Sequence, residues 1–160
     1  MFRTLTNATT SLALLAVAGL HPGPSAAATT SDFDHHVLEL VGEAKKVQLE
    51  AEPIAETLKP KRPDFDRVNS MMDSLVRHVG SVKSMVGVIE GNAGSLDADQ
   101  KKHLDLMKTK ADLLEVFAVN KQSILASDDA GKKRDLLRAK ANGIAQRAEM
   151  LQRTALKIRE

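Results

Sequence analysis

The sequence predicts an all-α protein, an antiparallel up-down-up-down four-helix bundle preceded by a secretory signal peptide. Three observations predict this fold. Apolar residues recur at alternating spacings of three and four along four segments, short breaks separate those segments, and no stretch alternates between apolar and polar with period two. A heptad seam that recurs four times is typical of helices packed side by side at a shallow angle, and short connections make consecutive helices antiparallel.

The first part of the chain has the arrangement of a secretory signal peptide. Arg3 gives a positive start, residues 11–20 (SLALLAVAGL) form a ten-residue apolar core, and HPGPSAAA then offers small residues for cleavage after Ala27 or Ala28. Ten apolar residues are too few to cross a bilayer as a helix. We therefore expect residues 1–28 to be removed and residues 29–160 to form one domain, exported to a periplasm or to the outside of the cell.

Four helices are expected in the remaining chain, over residues 32–58, 64–90, 96–126 and 132–158. Their seams run from Phe33 to Leu58, from Phe65 to Ile89, from Leu104 to Leu125 and from Leu137 to Ile158. Lys121 interrupts the third seam, because a charged residue stands there at an apolar position. KPKRP, GNAGS and SDDAG form the breaks between the helices.

Two helix starts carry recognisable capping residues. Asp97 followed three residues later by Gln100 predicts a capping box at the third helix. Ser127 or Asp128 is the predicted N-cap of the fourth helix.

The composition excludes several chemistries. The chain has no Cys, Trp or Tyr. Without Cys there is no disulfide framework, no catalytic thiol and no attachment point for a covalent haem, and without Trp or Tyr the usual stacking residues for bases and sugars are missing. The 23 basic and 21 acidic residues nearly balance, so we expect no nucleic-acid partner. No membrane span is expected after signal cleavage.

Charge and side-chain size predict that the first and fourth helices are neighbours. Acidic residues beside the first seam recur every seven residues, as do basic residues beside the fourth, and both seams contain alanines at matching positions. The antiparallel pairs expected from this pattern are Glu43 with Arg147, Glu50 with Lys140, Ala44 with Ala148, and Ala51 with Ala141.

That arrangement also assigns neighbours to a row of soft donors in MMDSLVRHVGSVKSM. If the first and fourth helices meet through this flank, the second and third must meet through the corresponding flank of theirs. The contacts then expected are Met71 with Phe117, His78 with Lys110, and Met85 with His103.

The candidate metal ligands are His78, Met85 and His103, and we interpret them as interface residues. Met71, His78 and Met85 are seven residues apart, which is a rise of about 10 Å, too far for any two of them to bind one ion. Met85 and His103 alone are too few donors for a tight site. We therefore predict no metal and no cofactor.

One segment of the third helix resembles a short motif of a known family. SLDADQKKHLDLMKTKADLL (95–114) resembles the Leu-Thr-x-x-Gln segment of the Spy/CpxP periplasmic chaperones and metal-stress proteins, with Leu96 and Gln100 matching and Asp97 in place of the threonine. The resemblance implies a thin dimeric cradle, whereas the four seams predict a closed bundle.

No enzymatic motif is present. Nothing resembles a nucleophile elbow, a phosphate-binding glycine loop or the Glu-x-x-His pairs of a di-iron bundle, so we expect no enzyme and no catalytic residues. By elimination, the sequence favours an exported, non-catalytic bundle that binds a protein or envelope partner or buffers stress, as a monomer or weak dimer. The alternative is a metal- or haem-carrying bundle that uses the groove between the second and third helices.

Overall fold

The computed structural model describes residues 30–159, and within them it is all-α, with no strand. The long helices are α1 (Thr30–Thr57), α2 (Phe65–Gly91), α3 (Ala98–Val119) and α5 (Ala130–Lys157), with a short α4 (Lys121–Leu125) and a 3-10 turn at Ala93–Ser95. The predicted signal peptide lies outside the described residues. Within the described range, no helix is both long and apolar enough to cross a membrane.

The four predicted seams form the core. Every apolar seam position is buried except Phe65 and Leu125, which are half-buried near the ends of their helices. Large side chains such as Leu40, Leu75 and Leu114 are fully buried. Burial of a side chain of this size contributes roughly 1.5–3 kcal/mol, so the seams account for most of the packing energy that holds the helices together.

α1 and α5, the first and fourth predicted helices, are neighbours, as predicted, and share the most extensive interface between helices. The other extensive contacts between long helices join α1 to α2, α2 to α3, and α3 to α5. The amide of Gln152 donates to Gln48 at 3.1 Å, and Arg159 contacts Asp34 at 3.2 Å, so α1 and α5 run in opposite directions.

Aspartates cap three of the long helices. Asp64 accepts from the backbone N–H of Arg67, and Asp97 forms the predicted capping box with Gln100, at 2.8 and 3.1 Å. The predicted cap of the fourth helix is wrong, because Asp129 accepts from the N–H of Lys132 and the helix starts at Ala130. Each such cap contributes about 1 kcal/mol.

The third helix is not continuous over 96–126 as predicted. It ends at Val119, turns at Asn120 and resumes as α4 at Lys121. The Lys121 side chain is only 5% exposed, and its ammonium donates to the Asn69 side chain at 2.9 Å and to Asp73. A buried ammonium must be paired and hydrogen-bonded, so the charged residue at this seam position is held by polar groups of α2.

Candidate functional site

His78 lies between two carboxylates of α1 and not beside Lys110, so that predicted contact is wrong. Its Nδ1 is 3.3 Å from Glu43 Oε2 and its Nε2 is 3.2 Å from Glu50 Oε1. The Ser74 hydroxyl also donates to Glu50 Oε1, at 3.4 Å. A protonated imidazole can donate to both carboxylates at once, whereas a neutral one carries a single N–H. This cluster therefore links α1 to α2 most strongly when His78 is charged.

The same contacts overturn the predicted charge pairs between α1 and α5. Glu43 and Glu50 face α2, so they do not pair with Arg147 and Lys140. The physical reason is that each helix has two half-exposed flanks, and a heptad seam does not specify which flank meets which neighbour. Surface charge pairs contribute only about 0–1 kcal/mol, which is too little to fix that choice from sequence.

Glu43 is held as a carboxylate. A hydrogen bond from the Lys46 ammonium lowers the pKa of Glu43, partial burial opposes this, and His78 lowers it further. Glu50 is less well satisfied, since its Oε2 is buried and has no hydrogen-bond partner among the described residues. The cluster thus combines one fully paired carboxylate with one that retains a free acceptor.

A small groove lies beside this cluster, between α1 and α2. It holds about 260 Å³ and is lined by Leu49, Glu50, Pro53, Met71 and Ser74. The lining places Met71 beside α1, so the predicted contact of Met71 with Phe117 is wrong. The groove is mostly apolar and is large enough only for a small molecule.

Phe117 instead contacts basic residues of α5. The Arg147 guanidinium lies 3.7 Å from the ring centroid and the Lys140 ammonium lies 5.4 Å from it, and that ammonium also donates to the Phe117 carbonyl. A Cβ atom at Gly143 would lie only 3.0 Å from the Phe117 ring, so a glycine there lets the ring lie against α5. Burial lowers the pKa of Lys140.

Three interfaces between the long helices contain opposite charges or paired amides. The α1–α2 interface contains His78 with Glu43 and Glu50. The α2–α3 interface contains Lys83 with Asp112 and Glu115, and Lys108 with Glu90. The interface of α1 with α5 and the residues that follow it contains Arg159 with Asp34, and Gln48 with Gln152. Across the α3–α5 interface, no carboxylate in the described part of the chain pairs with a cation. Lys140 and Arg147 contact Phe117 across this interface, and Lys110 stands one heptad before Phe117 on the same flank of α3. We call these three residues the cationic strip.

The candidate metal ligands do not share one interface. Met85 is half-buried against the core, on the flank of α2 that reaches α1 through His78. His103 stands on the flank of α3 that reaches α5 through Phe117, and its Nδ1 is buried without a hydrogen bond to any described residue. The predicted contact of Met85 with His103 is therefore wrong. Within residues 30–159, no three or more His, Cys, Asp or Glu side chains are placed to hold a metal ion.

A feature that the sequence analysis missed is a row of exposed apolar residues on the outer face of α3. Leu106 and Leu113 are each 43% exposed and Val116 is 61% exposed. We call these three residues the outer stripe. Beyond it, Val116 and Val119 line a shallow depression of about 390 Å³. The spacing of seven and then three was the available signal, since it repeats the helical period on the face opposite the seam.

No protein-family model matches this chain, and neither a curated protein nor a solved structure matches it significantly. The site must therefore be interpreted from its own geometry.

Proposed function

We propose that this protein is a non-catalytic, exported four-helix bundle, antiparallel and up-down-up-down, that binds a protein partner in the periplasm or outside the cell. The outer stripe of α3 is the observation that carries the proposal. Leu106, Leu113 and Val116 present branched apolar side chains to solvent along one helix face, directly opposite the buried seam. Binding a partner would remove that surface from water.

Single exposed apolar residues are ordinary, but an aligned group is not. Apolar atoms contribute a large part of any protein surface, so one exposed leucine has no functional meaning. Contiguous apolar patches on a monomer are typical of interaction sites. The depression lined by Val116 and Val119 extends the stripe toward the end of α3 and provides a hollow for an apolar side chain of the partner.

The bundle and its export are supported by different observations. The contacts of α1 with α2 and α5, and of α3 with the same two helices, support the bundle arrangement. The apolar core at residues 11–20 and the small residues before Thr29 support export. A non-catalytic role is supported by the engagement of His78, Glu43 and Lys121 in contacts that join helices.

Photo-crosslinking in cells of the source organism tests this proposal. A photoreactive amino acid replaces Leu113 on the outer stripe, and the matched control replaces Ser84, an exposed residue of α2. We expect a discrete protein adduct at position 113 and none at position 84. Adducts of equal yield at both positions, or none at either, would contradict a partner at the outer stripe.

A further inference from the structure

The cationic strip follows α3 and α5 for more than one heptad. Phe117 packs between Lys140 and Arg147, close to Gly143. Lys110 stands one heptad before Phe117 on the same flank of α3, about 10 Å along the helix. Because the helices run in opposite directions, Lys110 comes to the level of α5 just beyond Arg147. Three cations therefore follow one another along this interface.

These cations are not neutralised by the described part of the protein. Lys110 is half-buried, and it makes no hydrogen bond or ion pair with any residue in 30–159. Lys140 and Arg147 interact with backbone carbonyls and with the Phe117 ring, but not with a carboxylate. Like charges in sequence along a helix interface destabilise the folded state. A charge such as that of Lys110, which has no partner among the described residues, is typical of a binding surface.

Apolar side chains border the strip on both sides. By heptad register, Leu106 and Leu113 stand next to the flank of α3 that carries Lys110, and Met150, which is 51% exposed, stands next to the flank of α5 that carries Arg147. The surface thus has a basic centre with apolar edges. An amphipathic helix bearing carboxylates and leucines has the complementary pattern.

We propose that the cationic strip and the apolar residues beside it form a docking surface for an acidic amphipathic helix of another protein. The carboxylates of that helix face Lys110, Lys140 and Arg147, and its apolar residues cover Leu113 and Met150. This inference rests on the proposed function and names the chemistry of the partner. Desolvation of Lys140, which lowers its pKa, indicates that a carboxylate there would be only partly screened by water.

A polypeptide fits this surface better than the other polyanions. A nucleic acid would leave Leu106, Leu113 and Met150 uncovered, and the strip lacks exposed aromatic residues for stacking. A polybasic membrane-binding segment typically carries about four to eight Lys or Arg residues, whereas the strip has only Lys110, Lys140 and Arg147, all of them half-buried. A second copy of the chain would place its own surface on the strip and make self-association depend on the same cations.

Fluorescence anisotropy with a synthetic probe tests the proposal. The probe is a labelled four-heptad peptide with leucines at the seam positions and glutamates beside them, and its control carries glutamines in place of the glutamates. We expect the glutamate peptide to bind the intact protein with a dissociation constant of about 100 µM or tighter at low salt, and the glutamine peptide to bind at least about tenfold more weakly.

The matched variants are Lys110→Glu and Arg77→Glu, both of which reverse one cation, the second on an exposed position of α2. We expect Lys110→Glu to weaken binding roughly fivefold or more, and Arg77→Glu to leave it within about twofold. Circular dichroism of both variants verifies that each is folded. Lack of binding by the glutamate peptide, equal binding of both peptides, or equal effects of the two variants would overturn the proposal.

Three further readouts separate the alternatives. Tighter binding of duplex DNA, or of phosphatidylglycerol vesicles, than of the glutamate peptide would overturn the assignment to a polypeptide. Self-association of the protein that Lys110→Glu abolishes would replace the foreign helix by a second copy. If the adduct at position 113 forms equally well in the Lys110→Glu background, only the inference about the strip fails and the proposed function stands.

Discussion

The Arg147 guanidinium lies 3.7 Å from the centre of the Phe117 ring, and this contact shows which flank of α3 meets α5. It places a basic residue against an aromatic face, an interaction that contributes roughly 0.5–2 kcal/mol depending on how far it is removed from water. In the same bundle the acidic flank of α1 lies toward α2, where Glu43 and Glu50 contact His78. The arrangement leaves the α3–α5 interface with basic residues that have no acidic counterpart in the described chain.

The close packing of Phe117 predicts opposite effects of two glycine substitutions. Gly143→Ala adds a Cβ 3.0 Å from the ring and 3.1 Å from an Arg147 nitrogen, whereas a Cβ at Gly80 meets no neighbouring atom within 4 Å. Both glycines lie within helices, where alanine is favoured by about 0.5–1 kcal/mol. We therefore expect Gly80→Ala to stabilise the protein by that amount and Gly143→Ala to destabilise it by about 1 kcal/mol, as measured by urea denaturation.

A Phe117→Leu variant, which lacks the aromatic ring, is the control for this explanation. In that background the penalty of Gly143→Ala should largely disappear. An unchanged penalty would mean that the Phe117 ring is not the cause.

The carboxyl of Glu43 predicts a pH-dependent contribution to stability. The Lys46 hydrogen bond, together with His78, lowers the pKa of Glu43 below its usual value of 4.5. Stability from such a group is present above about pH 4.5 and is lost as the pH falls through the folded-state pKa. We expect Glu43→Gln to lower the free energy of unfolding by about 1 kcal/mol at pH 7 and by much less near pH 3.

The control for that experiment is Glu52→Gln on the same helix, where the carboxylate is exposed and, among the described residues, accepts only from Gln48. It should change the free energy of unfolding by less than about 0.5 kcal/mol at either pH. A Glu43→Gln effect of equal size at both pH values would show that the charge of Glu43 does not contribute.

The neighbour relation of α1 and α5 predicts the outcome of disulfide engineering. Ala44→Cys with Ala148→Cys should form a bridge under mild oxidation, because both positions lie in the seams of neighbouring helices. Ala44→Cys with Ala111→Cys should not, because α3 is not a principal neighbour of α1. Non-reducing electrophoresis distinguishes the two, and efficient bridging of the second pair alone would reverse the neighbour assignment.

The buried ammonium of Lys121 predicts different results for two replacements. Lys121→Met keeps the volume and supplies the apolar residue that the seam lacks, so the free energy of unfolding should change by less than about 1 kcal/mol or rise. Lys121→Ala leaves a cavity beside Asn69 and should destabilise the protein by about 2–3 kcal/mol. Equal losses in both variants, measured by thermal or urea denaturation, would show that the contacts to Asn69 and Asp73 matter more than packing.

The core could be predicted from the sequence because burial follows the heptad period. Seam residues such as Leu40, Val82 and Ile144 have no other plausible environment on a helix of this pattern, and all three are buried. The interruption at Lys121 was visible as well, although the helix end at Val119 was not. Propensity does not show how a charged residue in a seam will be paired, and here the partner is a distant part of α2.

The flanks could not be predicted in the same way. Glu43 can form ion pairs with His78 and Lys46 as well as with Arg147. Charge complementarity alone therefore allowed the acidic flank of α1 to face either α2 or α5. The basic residues of the α3–α5 interface also cannot be recognised as a group from the sequence, because this requires knowing which helices are neighbours. Lys110 is an ordinary helix lysine in sequence, and only the position of α5 shows that no carboxylate of residues 30–159 pairs with it there.

If the cationic strip binds an acidic helix, as we propose, its unneutralised charges should lower the stability of the free protein. The most direct measurement is the free energy of unfolding of the Lys110→Glu variant by urea denaturation at low and high salt, with Arg77→Glu as the control. We predict that Lys110→Glu is more stable than the unmodified protein by about 0.5–1 kcal/mol at low salt, that the gain shrinks at high salt, and that Arg77→Glu shows no gain. A Lys110→Glu variant that is equally or less stable at low salt would contradict the claim, because the strip would then already be neutralised within the protein.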